Sequence, residues 1–252
     1  MQSAPNPIIR SGAGYSELSL DQLEAMPLSQ FQSLRGQIVN ANSGFFYDTA
    51  YAKVGVAIAA GAKQSLFTQG KAEAGLQFSS NTVYGMERGE FTTNMNNNGQ
   101  FDNGTNFIME GAGVQILQTA DLPTTVGENG AITAPNYTAS VVISGVNNLL
   151  CILENLELRF LRGEDVKKRG PLWAWPSAPG VGLEGASGSP NGGFFQNSHG
   201  GLCVFSRPVV LEGGDKFQFD LANIAQAAWT PTIGFKVRVV LWGMKITRQY
   251  PG

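Results

Sequence analysis

Proton transfer at neutral pH is most often done by histidine, and this chain has one, His199, in the stretch Gln196-Asn197-Ser198-His199-Gly200-Gly201. Any Ser-His-Asp or Cys-His arrangement would have to use it. No nucleophile elbow lies near it, and Cys151 and Cys203 both fall in apolar runs that read as strands, where a thiol is buried and inert. His199 therefore reads as a solvated or hydrogen-bonded loop residue. Zinc needs closely spaced His, Cys or acid ligands, and the chain offers none at such spacing. Asp102-Asn103-Gly104-Thr105-Asn106 is rich in oxygen donors but lacks the acid count and distal glutamate of an EF-hand loop, so it reads as an Asx-rich turn. A glycosidase needs two carboxylates opposed across a cleft. Spacing pairs none of Glu110, Glu154, Glu157, Glu164, Asp165 and Glu184. No phosphate-cradling glycine loop opens a helix. The expectation is a chain without catalytic residues, metal or cofactor.

Two clusters remain. Arg159, Arg162, Lys167, Lys168 and Arg169 could meet phosphate, but Glu164 and Asp165 interrupt them. They read better as a solvated or inter-subunit corner, and a net charge of −2 gives no general attraction to nucleic acid. Residues 171–201 form a Gly/Pro/Ser-rich excursion carrying Trp173, Trp175, Phe194 and Phe195. Structureless stretches this long are usually functional or interface-forming. Its aromatics could stack a sugar ring, plug a subunit junction or cover the open end of a sandwich.

The elements that must carry these residues are strands. The chain has 252 residues, 32 of them glycine, and only 14% are charged, a globular, turn-rich composition. No apolar run is long enough to span a membrane, and the first residues hold no apolar signal core. The two cysteines read as buried thiols of a reducing compartment rather than a disulfide framework. Residues 1–15 read as an extended arm. Ser19-Leu20-Asp21-Gln22 is a capping box that places Leu20, Leu23 and Met26 on one face of a short helix, with a second turn around Phe31 and Leu34. This pair either packs on its own sandwich or docks on a neighbouring subunit.

Strands are expected from Phe45 onward, at Tyr51–Ala60, Lys63–Phe67, Asn106–Leu117 with a glycine kink at Gly111–Gly113, Ser140–Ile143 and Leu149–Leu161. The clearest stretch is Leu202–Leu221. There Phe217, Phe219 and Leu221 alternate with Lys216, Gln218 and Asp220 after Glu212-Gly213-Gly214-Asp215, the pattern of a half-buried hairpin. Phe235, Val237, Val239 and Leu241 repeat the alternation against Lys236 and Arg238. With no helix long enough for a crossover, the expected architecture is all-β. It is an antiparallel β-sandwich over 45–252 behind an arm with short helices over 1–44.

The run from Arg207-Pro208-Val209-Val210-Leu211 through Glu212-Gly213-Gly214-Asp215 to Lys216-Phe217-Gln218-Phe219-Asp220-Leu221, followed by the final strand Phe235–Ile246, resembles the jelly-roll capsid proteins of tailless icosahedral viruses, bacteriophages included. The order of strands and loops is similar over roughly residues 100–248, and an arm with short helices is usual in such subunits. The resemblance implies a viral-type jelly roll. The double version needs about sixteen strands, more than the sequence shows, so a single roll with long loops is preferred and the double one stays open. The resemblance also implies a non-catalytic structural virion protein, made in the host cytoplasm and self-assembling into oligomeric capsomers of an icosahedral shell. Its partners would be copies of itself and other virion proteins, with weak inner-face contact to nucleic acid or membrane. The expected subunit contacts are Trp173, Trp175, Phe194 and Phe195 with the arm residues Leu20 and Leu23. Two other functions stay open: a carbohydrate- or receptor-binding sandwich of the vertex, spike or lectin kind, and, with least support, a hydrolase.

Overall fold

The computed structural model describes residues 5–12, 14–52, 55–70, 74–76, 83–87, 93–119, 139–175, 203–232 and 234–247. In chain order the elements are β1 (Ile8–Ser11), β2 (Gly14–Glu17), α1 (Leu20–Ala25), α2 (Leu28–Leu34), a 3-10 turn at Arg35–Gln37, β3 (Ala41–Ala52) and β4 (Lys63–Leu66). Next come β5 (Ala74–Leu76), β6 (Val83–Glu87), β7 (Thr105–Thr119), α3 (Ala139–Asn155), β8 (Leu156–Arg162) and β9 (Asp165–Pro171). A 3-10 turn at Leu172–Ala174, β10 (Cys203–Leu211), β11 (Phe217–Asn223) and β12 (Gly234–Thr247) complete the order.

The protein is an all-β antiparallel sandwich. One sheet runs β10-β7-β12-β3 and the other β4-β11-β8-β9. Among these eight strands the pairings nest. The first pairs with the last (β3 with β12), the second with the seventh (β4 with β11), the third with the sixth (β7 with β10) and the fourth with the fifth (β8 with β9). The alternation in the sequence explains why the sheets close on one another. Phe217, Phe219 and Leu221 from one sheet meet Phe107, Met109, Val237, Val239 and Leu241 from the other in a single buried cluster. Each such side chain stabilises by roughly 1.5–3 kcal/mol on burial.

A second apolar cluster lies on the outer face of the β10-β7-β12-β3 sheet. The bonds of the capping box form as expected: the Ser19 hydroxyl accepts the Gln22 amide, and the Gln22 side chain accepts the Ser19 amide. Leu23, Met26, Leu28 and Phe31 then pack on Ile108, Val210, Met244 and Ile246. Of the two readings of the helical pair, this is the one in which it covers its own sandwich.

Several expectations are corrected. The strands expected at Ser140–Ile143 and Leu149–Leu161 are replaced by α3, 17 residues long, with β8 starting only at Leu156. An unbroken apolar run does not tell helix from buried strand by period. Among the described side chains of the helix the buried ones are Asn148 and Ile152, about one helical turn apart, and alternation begins at Leu156. The hairpin expected across Glu212–Asp215 is not one, because β10 and β11 lie in different sheets. The turn instead carries the chain across the sandwich. The Gly213 amide donates to the Asn106 side chain and the Gly214 amide to the Phe101 carbonyl. A Cβ on Gly213 would lie 2.6 Å from the Asp102 carbonyl oxygen.

The strand expected over Tyr51–Ala60 ends at Ala52, and Gly55 takes a positive φ of 73°. The first sandwich strand also starts earlier than Phe45, at Ala41. The charged corner Arg162–Gly170 is a hairpin, with Gly163 at φ 59° joining β8 to β9. The kink expected at Gly111–Gly113 is a bulge at Glu110, between Met109 and Gly111. Cys151 is exposed rather than buried.

Candidate assembly surfaces

The arm is held by apolar contact in its middle and by charge near both ends. Leu23 is fully buried in the second cluster and Leu20 packs half-exposed against it, so Leu23 is taken up within its own subunit. Glu24, one residue on, accepts the Val210 amide at 3.1 Å and an Arg162 nitrogen at 2.6 Å. The other end of the Arg162 guanidinium reaches Asp215 at 3.0 Å and Glu212 at 3.8 Å. Burial works against the Arg162 charge, but Asp215 and Glu24 outweigh it and hold its pKa above the ordinary value. One arginine of β8 thus ties the arm to the turn that links the two sheets. After α2, Arg35 donates to Ser43 at 2.8 Å and sits 3.4 Å from Glu110. Glu110 lies in the bulge, and burial pushes its pKa up, opposed in part by Arg35.

The two tryptophans of the excursion part company. Trp175 is buried: its indole N–H donates to the Gly170 carbonyl at 3.2 Å, its ring meets Phe219, and the Lys168 ammonium lies 5.0 Å from its centre. It closes its own subunit's core. Trp173 is 63% exposed. It sits on a 3-10 turn that packs against α3, whose Leu150 is also exposed, while Ile224, bonded through its amide to Asn155, lies exposed at the end of that helix. Phe194, Phe195 and His199 lie outside the described residues.

The β10-β7-β12-β3 sheet carries a second surface that the sequence reading missed. Beyond the arm, its outer face sets Arg238 over the Tyr47 ring at 5.1 Å and Lys236 over Tyr51 at 5.4 Å. Phe45, 61% exposed, stacks on Tyr47. Trp242 pairs with Phe45 on one side and Gly111 on the other. Burial and then Arg238 push the Lys236 pKa down. The alternation of Lys236 and Arg238 with Phe235, Val237, Val239 and Leu241 was legible. Which β3 residues they meet depends on register, which only the fold supplies.

Three of the sandwich's four strand edges are partly occupied or irregular. Helices α1 and α2 pack against β10. Asn94 occupies the edge of β3, its side chain accepting the Tyr47 amide at 2.8 Å and donating to the Phe45 carbonyl at 2.9 Å. The β9 edge is bulged at Lys167, a device that discourages strand addition.

Among the described residues no group of three His, Cys, Asp or Glu could hold a metal, and no helix is long and apolar enough to cross a membrane. Asp102 of the oxygen-rich turn is exposed and bonded to Asn97. No family model, curated protein or solved structure matches this chain.

Proposed function

We propose that the chain is a structural virion protein, a capsid subunit of the single jelly-roll kind that self-assembles into capsomers. The observation that carries this is the nested pairing, first strand with eighth through fourth with fifth, across two four-stranded sheets. That winding is what an eight-stranded double-sheet jelly roll requires, and capsid proteins are among its users. Fold alone does not fix function. The exposed aromatics Trp173 and Phe45, on separate faces, add the second element, since exposed aromatics are enriched at interface centres. Two unlike patches on one subunit suit a head-to-tail contact that closes into a ring. Native mass measurement with negative-stain microscopy tests this: rings or shells of purified protein are expected. A strictly monomeric chain at high concentration overturns the reading.

A carbohydrate- or receptor-binding sandwich is the second reading, favoured by the exposure of the Trp173 indole, a surface on which a sugar ring can stack. Retention on a glycan array, lost in Trp173→Ala, would put it ahead.

A further inference from the structure

We propose that Glu110 makes the docking of the N-terminal arm depend on pH, tightening it in acid and loosening it as the pH rises. The two charged pins of the arm are unlike. Glu24 is an exposed partner, its side chain 38% accessible, in a network it shares with Arg162, Glu212 and Asp215. Glu110 belongs to the sheet and its side chain is 5% accessible. Its Oε2 accepts a long hydrogen bond from Arg35 at 3.5 Å, while Oε1 lies 3.4 Å from the same nitrogen and receives no hydrogen bond. A buried carboxylate without a full set of donors is costly while it is charged.

The groups around Glu110 offset that cost only in part. Arg35 of the arm faces it at 3.4–3.5 Å, but its guanidinium is shared with Ser43 of β3. Across the bulge, β12 presents Trp242 and Gly243, which carry no charge. On the other side, the irregular stretch of β10 between Val204 and Val209 includes Arg207, which is exposed. Burial is the larger influence on Glu110 and Arg35 the smaller, so its pKa in the docked state lies above the ordinary 4.5.

Lifting the arm removes Arg35 and opens this face of the sheet to water, returning Glu110 towards its ordinary value. The docked state then binds the proton more tightly than the open state. Its advantage is full below the ordinary value, is lost as pH rises through the docked value, and is absent above it. Each unit of difference between the two is a tenfold change in the opening equilibrium. The apolar seat of Leu23 and Phe31 keeps the arm docked throughout, so Glu110 tunes the opening rather than switching it.

Native-state hydrogen exchange of the α1 and α2 amides, read by mass spectrometry from about pH 4.5 to 8 and corrected for intrinsic rates, tests this. In the wild-type chain, corrected protection should fall as pH rises and then level off. In Glu110→Gln, which keeps the shape but cannot titrate, that fall should be absent. Arg35→Gln should move the fall to higher pH, because it removes the charge that partly offsets burial. Protection that is flat or rises with pH in the wild type overturns the proposal. So does a wild-type profile retained in Glu110→Gln, or an unmoved one in Arg35→Gln. None of these readings depends on whether the subunit assembles.

Discussion

Replacing Phe219 by alanine removes the ring on which the two sheets and the end of the sandwich converge. Phe219 is fully buried, with Phe160 at 4.8 Å, Phe67 at 5.7 Å and Trp175 at 6.1 Å between ring centres. It pairs with Leu66 on β4 and Phe160 on β8, strands that cannot shift inward without breaking register. A cavity therefore remains. Large-to-small changes of this kind cost about 3–5 kcal/mol. For a domain of this size each kcal/mol lowers Tm by about 2–4 °C, so a fall of roughly 6–20 °C is expected. Thermal and urea unfolding followed by circular dichroism would measure it, with Lys216→Ala at an exposed position as the control, expected within about 0.5 kcal/mol. A loss below about 1 kcal/mol for Phe219→Ala would mean that the alternating face points away from the core.

Trp175→Ser should cost roughly 3–5 kcal/mol in the same assay, whereas Trp173→Ser should leave stability within about 0.5 kcal/mol and lower the oligomer fraction in sedimentation velocity. Gly243→Ala should fail to fold or lose several kcal/mol, because its Cβ would stand 1.9 Å from the Ile108 carbonyl oxygen; Gly12→Ala, with nothing within 4 Å, should be near neutral by urea titration. A thiol reagent should label Cys151 rapidly in the native protein, and Cys151→Ser should abolish that fast phase, as read by mass spectrometry.

Local rules made part of the fold legible. The Ser19–Gln22 box reports a hydrogen-bond pattern three residues long, and the alternation at Phe217–Leu221 and Phe235–Leu241 reports which side chains face the core. What was lost depended on partners distant in the chain. Glu212-Gly213-Gly214-Asp215 has the composition of a hairpin turn, but the close approach of Gly213 to Asp102 and Thr105 shows that its glycines serve a crossover between sheets. Leu149–Leu153 is apolar without alternation, so α3 was indistinguishable from a strand until the fold exposed Leu150 and buried Ile152. For the candidate surfaces, composition marked Trp173 and Trp175 alike. The β8–β9 hairpin and the 3-10 turn after it separate them, one into the core and one into water. The Phe45 face required the register of β3 on β12, and the Arg162 hub required three elements far apart in sequence.

The position of β12 has a consequence for biosynthesis. It lies between β7 and β3 and pairs with both along almost its whole length, from Gly234 to Thr247. While a ribosome is still making the segments before it, β3 and β7 have no common partner, and the apolar seat beneath the arm lacks Met244 and Ile246. The first sheet is therefore complete only after translation has passed Thr247, although β7 can pair with β10 before then. Until then the nascent chain presents unpaired apolar strands, the kind of species on which aggregation and chaperone capture compete with folding.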